Sequence, residues 1–268
     1  MSAKKIRVLI SGVCGRMGGE VVRAVTAQDD MEVVGGVDIR CGGKDVGEIA
    51  GIETLGVHIE SDLRVALRSG KPDVVVDFTS AEGFGERASE ILKFGCHLVA
   101  GTTGVSPEVV KKLAAIAKRK KRGFVLAPNF ALGAVLMMKF AQQAVQYMPD
   151  MEIVELHHDR KVDAPSGTAL RTAELAAEIK KKFSPRKDPT RVHKLNGCRG
   201  GTLGGISIHS IRLPGFLAHQ EVIFGGAGQT LTIRHDTTSR EAFMPGVILA
   251  IRRVVTLQGL VLGLENLI

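Results

Sequence analysis

The chain has 268 residues, with 36 Lys and Arg against 28 Asp and Glu, a formal net charge of +8. Hydrophobic residues make up 44% and charged residues 24%, proportions that exclude general disorder; the length admits one large domain or two modest ones. Aromatics are only 4%, with no Trp, while Gly numbers 32. That suits turns where backbone approaches a ligand and not a surface that stacks nucleic-acid bases.

The first half alternates strand and helix. Ile6–Ser11 is a short apolar run, followed by Gly12-Val13-Cys14-Gly15-Arg16-Met17-Gly18 and a helical pattern to about Gln28. A strand is expected over Val33–Asp38 and another over Asp73–Phe78, whose DVVVDF composition is that of a buried parallel strand. Glu82–Phe94 reads as a helix stopped by Gly95, and Cys96–Ala100 as a strand leading into Gly101-Thr102-Thr103-Gly104. Ser106 then caps a helix with Pro107 at its first position, and Gly123–Ala127 is the next strand. This alternation implies an α/β fold, a Rossmann-type doubly wound parallel sheet.

After Asn129 the pattern changes. Ala134–Met148 reads as one helix, Met151–His158 alternates as a strand, and a second helix starts near Ser166. A Gly- and Pro-punctuated stretch from Ser184 to Gly205 precedes three strand-like runs, Ile206–Leu213, Gln220–Phe224 and Gln229–His235. A second α+β domain with an open mixed sheet is expected over 130–239. The first domain would comprise 1–129 together with 240–268, the last of these a helical tail that packs back on it.

Four cysteines, Cys14, Cys41, Cys96 and Cys198, form no CxxC pair, which argues against a zinc module and against a disulfide-stapled secreted domain. No metal site is expected. Cys14 reads as a small apolar filler, although oxidation there would block a ligand of the loop. The N-terminus lacks a signal-peptide layout, and the apolar stretches are cut by Pro128 and Asn129 or by Arg252 and Arg253. The expectation is a cytoplasmic protein with no membrane partner. The basic run Lys118 to Arg122 lacks interleaved aromatics and closes a helical pattern, where cations complement the helix dipole. It reads as a solvated face, and no nucleic-acid partner is expected.

Gly12-x-x-Gly15-x-x-Gly18 lies directly after a strand and before a helix, where a pyrophosphate rests on free backbone N–H groups at the positive helix end. Asp38 follows 20 residues after Gly18, placed to accept hydrogen bonds from ribose hydroxyls. Gly101-Thr102-Thr103 and Ala127-Pro128-Asn129-Phe130 also follow parallel strands, at the carboxyl edge where such sheets bind ligands. These segments point to a nicotinamide dinucleotide. Asp38 would repel a 2′-phosphate and so favours NADH; Arg16 and Arg40 could pair with one and keep NADPH open.

A second constellation spans Glu155-Leu156-His157-His158-Asp159-Arg160-Lys161-Val162-Asp163-Ala164-Pro165-Ser166-Gly167-Thr168. Adjacent histidines at a strand end point to opposite faces, Lys161 sits at a turn, and Ser166-Gly167-Thr168 opens a helix whose N–H groups form an anion seat. A histidine and a lysine beside a carboxylate seat can deliver protons to a carbanion or imine nitrogen.

Over essentially its whole length the chain resembles the dihydrodipicolinate reductase family. The carriers are GVCGRMG at 12–18, DFT at 77–79, GTTG at 101–104, APNF at 127–130 and ELHHDRKVDAPSGTA at 155–169, with Ile211 to Gly215 and Ala218 to Val222 as a variant of the third sheet region. The resemblance implies reduction of a cyclic dicarboxylate imine, formed by loss of water, with hydride from NADH or NADPH. It makes His157 the general acid/base, Lys161 a second proton donor, His158 a carboxylate contact, and Gly167 with Thr168 the carboxylate seat. Gly12 to Met17, Asp38, Gly101 to Thr103 and Ala127 to Phe130 become the cofactor shell. Ile39 stands where some members carry a phosphate-binding arginine, which leans the choice to NADH. A homotetramer built through the second domain's sheet is also implied. Another imine dehydrogenase would share the glycine loop but has no need of HHDRKVDAPSGT, and a nucleotide sensor that had lost catalysis would not have kept both His157 and Lys161.

Overall fold

The computed structural model describes residues 4–181 and 190–268, so part of the Ser184–Gly205 stretch lies outside the described residues. The chain divides into two compact units, residues 1–130 with 243–268, and residues 131–242.

The first unit is a seven-stranded sheet, every neighbouring pair parallel, in the order β12-β6-β5-β4-β1-β2-β3. Its elements in chain order are β1 Ile6–Ser11, α1 Arg16–Thr26, β2 Met31–Val37, α2 Val46–Ala50, β3 Ile59–Glu60, α3 Leu63–Gly70 and β4 Val74–Asp77. Next come α4 Phe84–Phe94, β5 His97–Ala100, α5 Pro107–Lys120 and β6 Gly123–Leu126, and from the C-terminal part α8 Met244–Val254 and β12 Gly259–Leu262. β4, β5 and β6 are buried at every position, the pattern of strands covered on both faces. One face is closed by Phe84, Ile91 and Leu92 of α4 with Leu113 and Ala117 of α5 against Leu9, Val75, Leu98 and Phe124.

Local signals set the helix ends. Ser106 accepts the N–H of Val109 ahead of Pro107, and Gly95 ends α4 at φ +105°, a left-handed conformation that costs a Cβ-bearing residue but not glycine. Two parts depart from the expected layout. The C-terminal tail is a helix followed by a strand, with Gly259 to Leu262 registered against Gly123 to Leu126; three apolar residues after a glycine are too few to identify a strand by pattern. Residues 39–72, for which no elements were expected, hold α2, β3 and α3. Buried Asp45 organises that stretch by accepting the N–H groups of Gly47, Leu55 and Val57 at 2.7, 3.0 and 2.9 Å.

The second unit comprises α6 Leu132–Ala144, β7 Asp150–His157, α7 Gly167–Lys180, β8 Gly201–Leu203, β9 Ile206–Arg212, β10 Ala218–Gly226 and β11 Gln229–Thr237. Its sheet runs β11-β10-β7-β9-β8, with β7 and β9 parallel and the other pairs antiparallel. Small residues of α7 (Ala169, Ala173, Ala176) and Met137, Ala141 and Val145 near α6 pack with Ile153, Val222, Phe224, Ile206 and Ile208. Among the described residues, no helix is long and apolar enough to cross a membrane.

Candidate active site

In the first unit, four loops leave the carboxyl ends of neighbouring strands β1, β4, β5 and β6. The sheet order reverses between β1 and β4, the switch point where ligands bind such sheets. Gly12 has φ +82°, and a Cβ there would press on Thr79 and the Phe78 carbonyl. A Cβ on Gly18 would lie 2.4 Å from the Gly12 carbonyl oxygen and 2.6 Å from the Val13 Cα, so only glycine lets the loop fold this tightly under α1. Gly15 is the N-cap of α1, with no side-chain cap, and the first turn holds no acid. The helix therefore starts with uncompensated N–H groups at Arg16 and Met17. This cradle fits a pyrophosphate.

Asp38 lies one residue beyond β2 rather than at its end, and is buried. Its carboxylate accepts the N–H of Cys14 at 3.1 Å, and from Arg40 the backbone N–H at 3.1 Å, Nε at 2.9 Å and Nη2 at 2.8 Å. The Arg40 hydrogen bond leads in holding this carboxyl below its ordinary value. The loop after β5 meets the loop after β4 through a buried acid: Asp77 Oδ1 accepts the Thr79 N–H at 3.1 Å, the Thr79 hydroxyl at 2.7 Å and the Thr102 hydroxyl at 3.0 Å. Phe78 and Phe130 meet edge to face at 5.6 Å, and a Cβ on Gly101 would collide with the Phe78 ring at 2.1 Å. The structure thus gathers Gly12 to Met17, Asp38, Gly101 to Thr103 and Ala127 to Phe130 along one edge of the sheet. The reading of Cys14 as a small apolar filler does not hold, because it is joined to Cys41 as a disulfide.

In the second unit, the strand period builds the candidate catalytic group. Residues two apart on β7 share a face, so Glu155 and His157 stand side by side, with His157 Nδ1 2.5 Å from Glu155 Oε2. Arg212 is registered opposite His157 on β9 and grips Glu155 through both carboxylate oxygens, at 2.8 and 2.9 Å, while the Ser166 N–H donates to Oε1 at 3.3 Å. Glu155 is fully buried. Burial pushes its carboxyl up, but the hydrogen bonds from His157, Arg212 and Ser210 outweigh that and hold it at about 2. An ionised Glu155 fixes the His157 proton on Nδ1 and leaves Nε2 as the nitrogen that can exchange a proton with a ligand.

Lys161 turns back beside the pair: its N–H donates to the His158 carbonyl at 3.2 Å, and its ammonium sits 2.7 Å from Asp163. Arg212 ties the same turn down through the Asp163 carbonyl at 2.8 Å. Ser166 caps α7 by accepting the Ala169 N–H at 3.2 Å, and a Cβ on Gly167 would meet nothing within 4 Å, which leaves open space at the helix start. Among the described residues, buried His158 Nδ1 has no hydrogen-bond partner, a cost that a ligand oxygen would remove. His157, His158, Lys161, Gly167 and Thr168 are thus brought into one region of the second unit. Glu155 and Arg212, which hold this region together, had no role in the sequence reading. Glu155 was signalled by its two-residue spacing from His157, whereas Arg212 depends on the β7–β9 register, which no local pattern gives.

The N-terminal family model "Dihydrodipicolinate reductase, N-terminus" matches residues 6–130, and "Dihydrodipicolinate reductase, C-terminus" matches residues 133–268. The chain belongs to the dihydrodipicolinate reductase family. It is 51% identical over 264 residues to the 4-hydroxy-tetrahydrodipicolinate reductase of Moorella thermoacetica, covering 98% of each chain. It is 50% identical, with the same coverage, to the protein of that name from Desulfitobacterium hafniense (strain DSM 10664 / DCB-2). Among solved structures, a dipicolinate-bound dihydrodipicolinate reductase from Paenisporosarcina sp. TG-14 matches with a TM-score of 0.86 and 42% identity, covering 98% of this chain and all of that one. The chain is an oxidoreductase, its N-terminal unit being the nucleotide-binding domain of the family.

Proposed function

We infer that this reductase converts 4-hydroxy-tetrahydrodipicolinate to tetrahydrodipicolinate with loss of water, in the diaminopimelate and lysine pathway, and that it prefers NADH to NADPH. The observation that carries the catalytic assignment is His157 pinned by an ionised, buried Glu155 beside His158, whose Nδ1 has no partner among the described residues, and the open start of α7.

Loss of the ring hydroxyl leaves a conjugated cyclic imine. A reduced nicotinamide, when bound, supplies the hydride that the carbon which carried the hydroxyl accepts. The enamine so formed takes one proton at carbon from His157 Nε2, while Nδ1 stays on Glu155. Lys161 is the second donor, its ammonium exchanging Asp163 for the substrate; an ion pair with a partner as exposed as Asp163 costs only about 0–1 kcal/mol to break. His158 and the N–H groups and hydroxyl of Gly167 and Thr168 hold the carboxylates. A dianionic substrate gains from each of these cations and from the positive helix end. The test is oxidation of NADH or NADPH, followed by absorbance, with substrate generated in situ from pyruvate and aspartate semialdehyde. Turnover with NADH at the higher kcat/KM is expected, and tight dinucleotide binding without turnover would sink the assignment.

For the dinucleotide, Asp38 is the ribose acceptor. In the structure its acceptor sites are filled by Arg40 and the Cys14 N–H, so the ribose hydroxyls must displace the Arg40 guanidinium, whose side chain is 62% exposed. Asp38→Ala is expected to weaken NADH about 10-fold or more, the loss of two charge-assisted hydrogen bonds. NADPH should weaken far less, because Arg40 and Arg16 are then free for the 2′-phosphate. Titration of each dinucleotide against the variant checks it, and equal weakening of both would remove Asp38 from the ribose.

A further inference from the structure

The glycine loop carries a feature that dinucleotide binding does not require. Cys14, in the middle of the loop, and Cys41, in the turn after β2, are joined across 27 positions of sequence with their Cα atoms 6.6 Å apart, within the roughly 4.4–6.8 Å that a disulfide spans. Cys96 and Cys198 stand apart as free thiols. Burial pushes the Cys96 thiol up to about 12, so it does not compete as a nucleophile.

The bridge matters because of what lies between its ends. The turn from Asp38 to Cys41 is fastened to the loop twice, at Asp38 through the Cys14 N–H and at Cys41 through sulfur. Arg40, between these two points, is held across both oxygens of Asp38, and its Nη2 reaches within 3.9 Å of where a Gly15 Cβ would be. A closed bridge therefore keeps a cation over the carboxylate and the glycine that the ribose and pyrophosphate would use. With the bridge open, the sulfur tie between turn and loop is gone, and the turn meets the loop through the Cys14 N–H alone of these two fastenings, while the Asp38 N–H still donates to the Glu60 carbonyl at 3.1 Å. The sulfurs and Asp38 also lie close enough together to suggest a cation site, but the Arg40 guanidinium already neutralises that carboxylate and repels a second cation.

We propose that Cys14 and Cys41 are a redox modification site on the cofactor loop, closed by exchange with a small-molecule disulfide, and that closure lowers affinity for the nicotinamide dinucleotide. The half-buried Cys14 attacks as the thiolate, forming a bond to one sulfur of the small disulfide and expelling the other as a thiolate. The buried Cys41 thiolate then attacks the Cys14 sulfur and expels the second small thiolate. Two protein thiols are oxidised, one small disulfide is reduced to two thiols, and the two protons end on the leaving groups. A dithiol reductant runs the sequence backwards.

The inference rests on the reading that this loop seats the dinucleotide, and the experiment separates the two. The full chain carrying Cys198→Ser, to remove the exposed thiol, is equilibrated with oxidised glutathione or with dithiothreitol. Alkylation and mass spectrometry count the thiols and map the 14–41 peptide pair, and NADH fluorescence gives its Kd without substrate. Oxidation is expected to consume two of the three remaining thiols and to raise the Kd tenfold or more, reversibly. In dithiothreitol, Cys41→Ser and Cys41→Ala should bind NADH as the reduced parent does; in oxidised glutathione they should lose one thiol, as a Cys14–glutathione mixed disulfide, and yield no 14–41 peptide pair. Thiols that stay reduced, a bridge that changes the Kd less than tenfold, or a reduced pair that takes up one equivalent of zinc would each overturn the proposal. A reduced chain that fails to bind NADH would take down the cofactor seat and this inference together.

Discussion

Replacing Lys161 with alanine is expected to lower kcat by about 10²- to 10⁴-fold, the range for a positioned proton donor, while the Kd for NADH stays within twofold. The ammonium is kept 2.7 Å from Asp163, and that hydrogen bond leads in holding the Asp163 carboxyl below its ordinary value. The Lys161 backbone is pinned to His158, and the Asp163 carbonyl to Arg212, so the turn keeps its shape when the side chain is cut back. The lost rate corresponds to about 3–5 kcal/mol of transition-state stabilisation. Lys161→Arg separates charge from proton delivery, since a guanidinium keeps the charge but does not give up its proton at neutral pH. A rate restored by arginine would make Lys161 a charge that holds the substrate. Equal losses in kcat and in NADH binding, with a lower Tm, would make it structural.

What the sequence made legible and what it hid follow from the range of the interactions involved. The glycine loop, the capped start of α5 and the Gly95 stop are local: each is set by residues within one turn of the chain. The buried strands declared themselves as unbroken apolar runs. β12 did not, because Gly259 to Leu262 becomes a strand only by lying against β6, more than a hundred residues away. The same holds at the site. His157, His158 and Lys161 were recognisable as a chemical group, but the Arg212 grip on Glu155 joins residues 57 apart. The contact of Cys14 with Cys41 spans α1 and β2, so neither cysteine marks the other locally.

Glu155→Gln is expected to destabilise the folded chain by about 3 kcal/mol at neutral pH and to lower kcat about tenfold or more, with little change in KM. Removing one partner of a buried ion pair costs about 3–5 kcal/mol, and here Arg212, only 19% exposed, would lose the charge opposite it and one of its two acceptor oxygens while its Nε already lacks a partner among the described residues. The same contacts show in the acidity: a carboxyl held at about 2 against an ordinary 4.5 contributes about 3 kcal/mol once ionised in both states. The sign follows from the depressed value: this stabilisation is fully present above about pH 4.5 and disappears as the pH falls through about 2. Urea unfolding of the parent should therefore show stability falling across that window, and the Gln variant should lack this component of the fall. The kinetic effect has a different origin. A neutral amide can meet His157 Nδ1 as donor or as acceptor, so the imidazole is no longer confined to the tautomer that presents Nε2 as the exchanging nitrogen. Glu155→Asp keeps the charge but shortens its reach by one methylene. It should recover the acid-side pH dependence more fully than the rate, a split that a purely structural carboxylate would not produce.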